Sequence, residues 1–120
     1  LFGANENGDV KPDMWIDAYL GFSQRLPLEN GLVEIIQRAN NSRAKKISLD
    51  IPTGFLGQRD SLFFQAEKVL TLASPKKILY ELPAEVEILI ADLGIPKAVY
   101  DKFGVEMMPF DQNGIICLKR

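Results

Sequence analysis

Asp17, Asp50 and Thr53 are the side chains in this sequence best suited to chemistry. A β-like run, Ile47-Ser48-Leu49, ends in Asp50-Ile51-Pro52-Thr53-Gly54-Phe55. In an open α/β sheet, ligands bind beyond the carboxyl ends of the strands. A carboxylate with a hydroxyl three residues later suits such a place, and Gly54 lets the backbone approach a ligand. Read alone, the same residues also make a Pro-Gly turn after a strand. Asp17 repeats the arrangement inside the apolar run Met14-Trp15-Ile16-Asp17-Ala18-Tyr19-Leu20, which stops at Gly21 and opens into Phe22-Ser23-Gln24-Arg25-Leu26-Pro27. A buried carboxylate must be paired, hydrogen-bonded or bound to a cation. Its plain structural use would be to accept bonds from nearby loop amides. If the two strands are neighbours, both acidic ends meet at one sheet edge. Two carboxylates and a hydroxyl there suit a hard cation, or the hydroxyls of a ribose or a hydrated ring.

Other polar groups carry weaker signals. Lys76, in Ser74-Pro75-Lys76, follows a third strand on the same edge, where it could meet a phosphate, although most lysines in such places are only solvated. Asp92, after a fourth strand, suits capping of the next helix better than catalysis. Asn5-Glu6-Asn7-Gly8-Asp9 lacks both the lysine of a phosphate loop and the spacing of a calcium loop. The pairs Lys45-Lys46 and Lys76-Lys77 read as solvated faces.

The elements that must hold these groups alternate. Residues 1–12 read as a loop ending in Lys11-Pro12. The run 14–20 predicts a strand buried on both faces. Leu28, Leu32, Ile35, Ile36 and Ala39 recur at helical spacing and predict a helix over 28–41. Strands are predicted over 46–51, 69–73 and 86–91, with a short helix over 77–82 between the last two. Pro96 suits the first turn of a helix running through Phe103. The tail predicts strand-like runs at 105–110 and 115–118 around an Asp111-Gln112-Asn113-Gly114 turn. The segment 55–67 is the least patterned; Ser61 to Ala66 predicts a helical turn, with at least one of Phe63 and Phe64 packed inside. Strands alternating with helices imply a mostly parallel sheet with right-handed crossovers, an α/β fold.

Composition narrows the class of protein. The chain has 120 residues, 47% of them hydrophobic, which reads as one domain or a piece of one with a real core. A formal net charge of -2 leaves no surplus of Lys and Arg to neutralise phosphates, so no nucleic-acid partner is expected. No apolar run approaches the roughly 20 residues that cross a bilayer, and no membrane association is expected. The start lacks both a secretory signal and an initiator Met, as a processed or truncated piece would. With one Cys and no His, the usual zinc sites and Ser-His or Cys-His pairs are excluded within the chain. The lone Cys117 fits a reducing compartment, and a cytoplasmic location is expected.

Five stations occur in order: Asp17-Ala18-Tyr19-Leu20-Gly21, a Pro closing the following loop, Asp50-Ile51-Pro52-Thr53-Gly54, Leu72-Ala73-Ser74-Pro75-Lys76 and Ala91-Asp92-Leu93-Gly94-Ile95-Pro96. From residue 13 to about 104 the chain resembles the NAD(P)H-hydrate epimerase family, the YjeF N-terminal domain. Its corresponding stations read D-A-L-L-G-T-G, D-I-P-S-G, F-G-A-P-K and A-D-I-G-I-P. The resemblance implies a Rossmann-like three-layer αβα sandwich with a mostly parallel sheet. It also implies interconversion of the R and S epimers of hydrated NADH and NADPH, with a potassium ion in the site.

By that resemblance Asp17 and Thr53 are the potassium ligands, Thr53 standing at a serine position and keeping the hydroxyl oxygen. Asp50 is the substrate-binding and catalytic aspartate. Gly21, Phe22, Ser23, Gln24, Arg25, Leu26 and Pro27 form the loop that wraps the substrate.

Three departures accompany the match. The family's Gly-Thr-Gly is Gly21-Phe22-Ser23, and the acidic residue after its S-G pair is replaced by Phe55-Leu56-Gly57. Its N-N-G-G-D-G loop lies upstream of the matched portion, and Asn5 to Asp9 are in a different place. The resemblance thus makes residues 1–120 a single domain that is the C-terminal part of a longer one. A fused dehydratase domain and a homodimer are the expected partners. The alternative is a non-catalytic scaffold of the same fold, as in the enhancer-of-decapping scaffold, whose similar domain dimerises. An unrelated Rossmann-like dinucleotide reader is disfavoured, since no G-x-G-x-x-G follows a strand.

Overall fold

The computed structural model describes residues 11–119. The Asn5 to Asp9 motif lies outside them. Among the described residues five strands form one sheet in chain order: β1 (Met14–Asp17), β2 (Lys45–Leu49), β3 (Lys68–Leu72), β4 (Glu87–Ala91) and β5 (Ile115–Cys117). The first four are parallel and β5 runs antiparallel beside β4. Helix α1 (Asn30–Asn41) joins β1 to β2, a 3-10 turn (Lys77–Glu81) joins β3 to β4, and α2 (Lys97–Lys102) precedes β5. This is the α/β, mostly parallel architecture expected.

Alternation along the strands gives the sheet two unlike faces. Ser48, Val69, Thr71, Ile88 and Ile90 are buried on one of them. The core cluster there joins Ala39 of α1, Ile51 and Phe55 of the loop after β2, Phe63, Phe64, and Leu79 of the 3-10 turn. Phe55 and Phe63 meet with ring centroids 4.9 Å apart and tilted by 58°, a favourable aromatic geometry. The other face is partly uncovered. Ile16 is 63% exposed and Ile115 47%, and Met14, Leu49 and Leu72 are also exposed. The expectation that β1 is buried on both faces is therefore corrected: of its residues only Asp17 is buried.

Local chemistry explains the shifted boundaries. β1 ends at Asp17 rather than Leu20 because the Tyr19 N–H turns back to the Asp17 carboxylate and the Leu20 N–H donates to the Thr53 hydroxyl at 3.2 Å. β2 ends before Asp50, whose φ of 70° turns the chain out of the strand. Ala73, with φ 60°, does the same after β3. Both residues still donate their amides to the next strand, Asp50 to Leu70 and Ala73 to Ala91, each at 2.8 Å. The left-handed bend is thus pinned by ladder bonds at the strand ends.

Two tail and loop expectations fail. Residues 61–66 form no helical turn. Phe64 instead donates to the Thr53 carbonyl, and the Asn40 side chain brackets the segment by donating to Phe63 O and accepting from Gln65 N. Both phenylalanines are buried. Residues 105–110 form no strand, and Pro109 could not donate to a ladder. The Asp111 to Gly114 turn does form, held by Gly114 N–H to Asp111 O and by the Asp111 side chain on Asn113 N–H. It delivers β5 to β4 rather than closing a hairpin.

Candidate active site

Parallel pairing brings the carboxyl ends of β1, β2 and β3 to one edge, so Asp17 and Asp50 converge as the sequence suggested. Their surroundings differ. Asp17 is 7% exposed and takes four hydrogen bonds. Oδ2 accepts from the Ser48 hydroxyl at 2.9 Å and from the Thr53 N–H at 2.7 Å. Oδ1 accepts from the Thr53 hydroxyl at 2.6 Å and, at a longer 3.4 Å, from the Tyr19 N–H. The register sets Ser48 directly opposite Asp17. Asp17 therefore bolts the end of β1 to the buried Pro52-Thr53-Gly54 loop. This is the structural role of a buried carboxylate.

The donor set also has the chemistry a potassium ion takes. The Asp17 carboxylate and the Thr53 hydroxyl are hard oxygens held together, and Oδ1 is the less saturated of the two carboxylate oxygens. Among the described residues no group of three or more His, Cys, Asp or Glu side chains is placed to hold a metal ion.

Asp50 is half-open, with the side chain 22% exposed. Its two oxygens are used differently. Oδ1 lies 2.7 Å from the Lys76 ammonium and accepts from the Thr71 hydroxyl at 3.2 Å. Lys76 Nζ also donates to Thr71 Oγ1 at 2.9 Å and to Leu72 O at 3.1 Å. Oδ2 accepts only a 3.2 Å bond from the Phe22 N–H among the described residues. Lys76 thus belongs to the site as the partner of Asp50. Thr71 is a component the sequence reading missed. Its signal was present, a hydroxyl inside the apolar run of β3, as Ser48 is a hydroxyl inside β2.

The loop from Gly21 to Pro27 divides its labour. A Cβ on Gly21 would sit 2.9 Å from Asp50 Oδ2, so only glycine lets the loop lie against this carboxylate. Gln24, on the same loop, brackets the segment after β2. Its amide donates to Pro52 O and Phe55 O at 3.3 and 3.1 Å and accepts from the Gly54 N–H at 2.6 Å. Phe22 is 75% exposed, and Ser23, Arg25, Leu26 and Pro27 are also exposed. A largely apolar cleft of about 360 Å³ lies between the loops, lined by Phe22, Gln24, Ile51, Phe55, Leu56, Lys76, Lys77 and Ile78.

Gly21→Ala is expected to test the close approach. The added methyl presses on a side-chain oxygen and not on backbone, so thermal unfolding should change little, whereas any activity that depends on the position of Asp50 Oδ2 should fall about tenfold. Unchanged activity would show that the position of Oδ2 is immaterial.

Remaining candidates lie apart. Asp92 accepts from Gly94 N–H at 2.8 Å, a local turn, while α2 starts after Pro96 without a side-chain cap. Lys46 donates to Ser42 O and Ala44 O near the opposite edge. There too Lys68 pairs with Glu87, whose hydrogen bond and charge raise the lysine pKa.

A parallel sheet with a polar, glycine-lined edge beyond its strands is the binding architecture of a Rossmann-like α/β protein. The particular family follows from comparison. The model described as YjeF-related protein N-terminus matches residues 2–78, and the chain belongs to that family. It is 33% identical over 99 residues to an NAD(P)H-hydrate epimerase of Rhodopirellula baltica, covering 78% of this chain and 41% of that protein. Another, from Dehalogenimonas lykanthroporepellens, is 34% identical over 115 residues, covering 88% and 46%. A bifunctional NAD(P)H-hydrate repair enzyme of Dictyoglomus turgidum is 30% identical over 90 residues, covering 70% and 18%. The crystal structure of yeast ynu0 shares the fold with a TM-score of 0.68 and 24% identity, covering 86% of this chain and 45% of that one. The chain thus spans less than half the length of the curated relatives it matches. No described helix is long and apolar enough to cross a membrane.

Proposed function

We propose that the intact protein interconverts the R and S epimers of hydrated NADH and NADPH, and that this chain supplies one side of the site. The relatives named as epimerases support the reaction. The observation that carries it to particular residues is the asymmetric Asp50 carboxylate, with Oδ1 held by Lys76 and Thr71 and Oδ2 open toward the Gly21 loop. In the substrate the hydroxyl sits on a ring carbon beside the nicotinamide nitrogen. The nitrogen lone pair helps the hydroxyl leave, the carbon becomes planar, and water returns to either face. Asp50, protonated at Oδ2, gives that proton to the departing hydroxyl, which leaves as water, and as a carboxylate takes a proton back from the returning water, as general acid and then base.

Gly21 to Pro27 form one wall beside the ring, with Phe22 and the cleft behind it offering apolar surface. Asp17 and Thr53 would hold potassium, which supplies a fixed positive charge within the pocket. The bifunctional relative makes a fused dehydratase unit the expected neighbour in proteins of that arrangement.

The test starts from one purified epimer of hydrated NADPH and follows the other by chromatography with the intact protein. Exchange well above the spontaneous rate is expected. No acceleration overturns the reading in favour of a non-catalytic binding module.

A further inference from the structure

We propose that Lys76, working with Thr71, is a positioning residue for Asp50: it fixes Oδ1 so that Oδ2 is presented to the Gly21 loop. The inference rests on the epimerase reading for its activity arm. It goes beyond that reading in assigning a task to two residues that would not touch the reacting atoms.

Three observations converge. First, Asp50 sits in a left-handed conformation, φ 70°, which directs its side chain out of the strand pattern. Nothing in a strand's pleat then sets its direction, and other contacts must do so. Second, Lys76 meets Asp50 Oδ1 at 2.7 Å, Thr71 Oγ1 at 2.9 Å and Leu72 O at 3.1 Å. Three acceptors on one ammonium use its three donors. An ammonium saturated in this way is anchored by the backbone and the sheet, and has no donor left for a phosphate. Third, Thr71 closes the triangle. It is fully buried, accepts from Lys76 and donates its hydroxyl hydrogen bond to Asp50 Oδ1 at 3.2 Å. Its place in β3 is fixed by pairing with Ile90 of β4. The clamp therefore transmits the rigidity of two central strands to one carboxylate oxygen. On the other side, Oδ2 has the 3.2 Å Phe22 N–H and the bare face of Gly21. A displacement of about 1 Å at such a group lowers a rate by about a hundredfold.

The test compares Lys76→Met with Lys76→Arg in the intact protein. Lys76→Met keeps the length of the stem and removes the charge and donors. It is expected to lower kcat by about a hundredfold while KM for hydrated NADPH moves less than about threefold. Lys76→Arg, which restores a cation, is expected to recover at least about a tenth of the wild-type kcat. An unchanged kcat in Lys76→Met overturns the proposal. A loss expressed entirely in KM also overturns it, since Lys76 would then be a direct substrate contact.

A second measurement does not depend on activity. The Phe22 amide and the Asp50 carboxyl carbon are followed by NMR in the wild type, in Lys76→Met and in Lys97→Met as a distant reference. Both resonances are expected to move in Lys76→Met only; if they stay in place the clamp is refuted. Should the wild-type protein show no epimer exchange, the epimerase reading fails, and this spectroscopic comparison alone decides on the clamp.

Discussion

Asp50→Asn is expected to lower epimer exchange by the intact protein about a thousandfold, within the range general acid-base groups contribute. The substitution keeps the shape of the side chain. Its amide oxygen can still accept from Lys76 and Thr71 at the Oδ1 position. The NH2 group then occupies the Oδ2 position, where it can no longer take up a proton and meets the Phe22 N–H donor against donor. Because Asp50 is partly solvated, stability should change by only about 1 kcal/mol. The loss should therefore appear in turnover with the fold intact. Single-turnover exchange and thermal unfolding, measured on the same sample, check both halves. Wild-type turnover in Asp50→Asn would remove Asp50 from the chemistry.

Asp17→Ala is expected to have the reverse signature, with its largest effect on folding. The change withdraws the acceptor of four bonds at a site that is 7% exposed. The Ser48 and Thr53 hydroxyls can rotate toward other partners, but the Thr53 N–H, now 2.7 Å from Oδ2, cannot. Leaving a buried amide unsatisfied and losing the charge-assisted bonds should together cost about 3 kcal/mol. For a domain of this size that lowers Tm by roughly 10 to 20 °C. Thr53→Ser keeps the hydroxyl donor and the backbone amide, and should stay within about 1 kcal/mol of the wild type. Equilibrium denaturation of the three proteins measures the ordering. If Asp17→Ala is as stable as Thr53→Ser, the bolt between β1 and the Pro52 to Gly54 loop contributes nothing to folding.

These contrasting outcomes reflect what could be read at each level. The alternation of apolar strands with helical spacing at Leu32, Ile36 and Ala39 is local, and it was legible. So was the placement of an acid at the end of β1 and after β2, since a carboxylate breaking an apolar run is visible in the sequence. The boundaries were less so. β1 stops at Asp17 because the amides of Tyr19 and Leu20 turn to the Asp17 carboxylate and to the hydroxyl of Thr53, and Thr53 lies 36 positions from Asp17. The surplus strand expected at 105–110 failed for a related reason. Its pattern suited a strand, but no described neighbour pairs with it.

The sequence by itself determined the α/β class, the family stations and the identity of the acids that meet at the sheet edge. Only the tertiary structure decided how each acid is used. Asp17 is tied to Ser48 and Thr53, whereas Asp50 is held by one oxygen between Lys76 and Thr71. Gln24, beside the cleft, brackets the loop after β2. In a parallel sheet every such partner comes from a different strand or crossover, 21 to 36 positions away for the hydrogen bonds to the two acids from other strand ends and loops. Local propensity carries no record of that register. Pairing of whole strands, driven by burial of one apolar face, selects it.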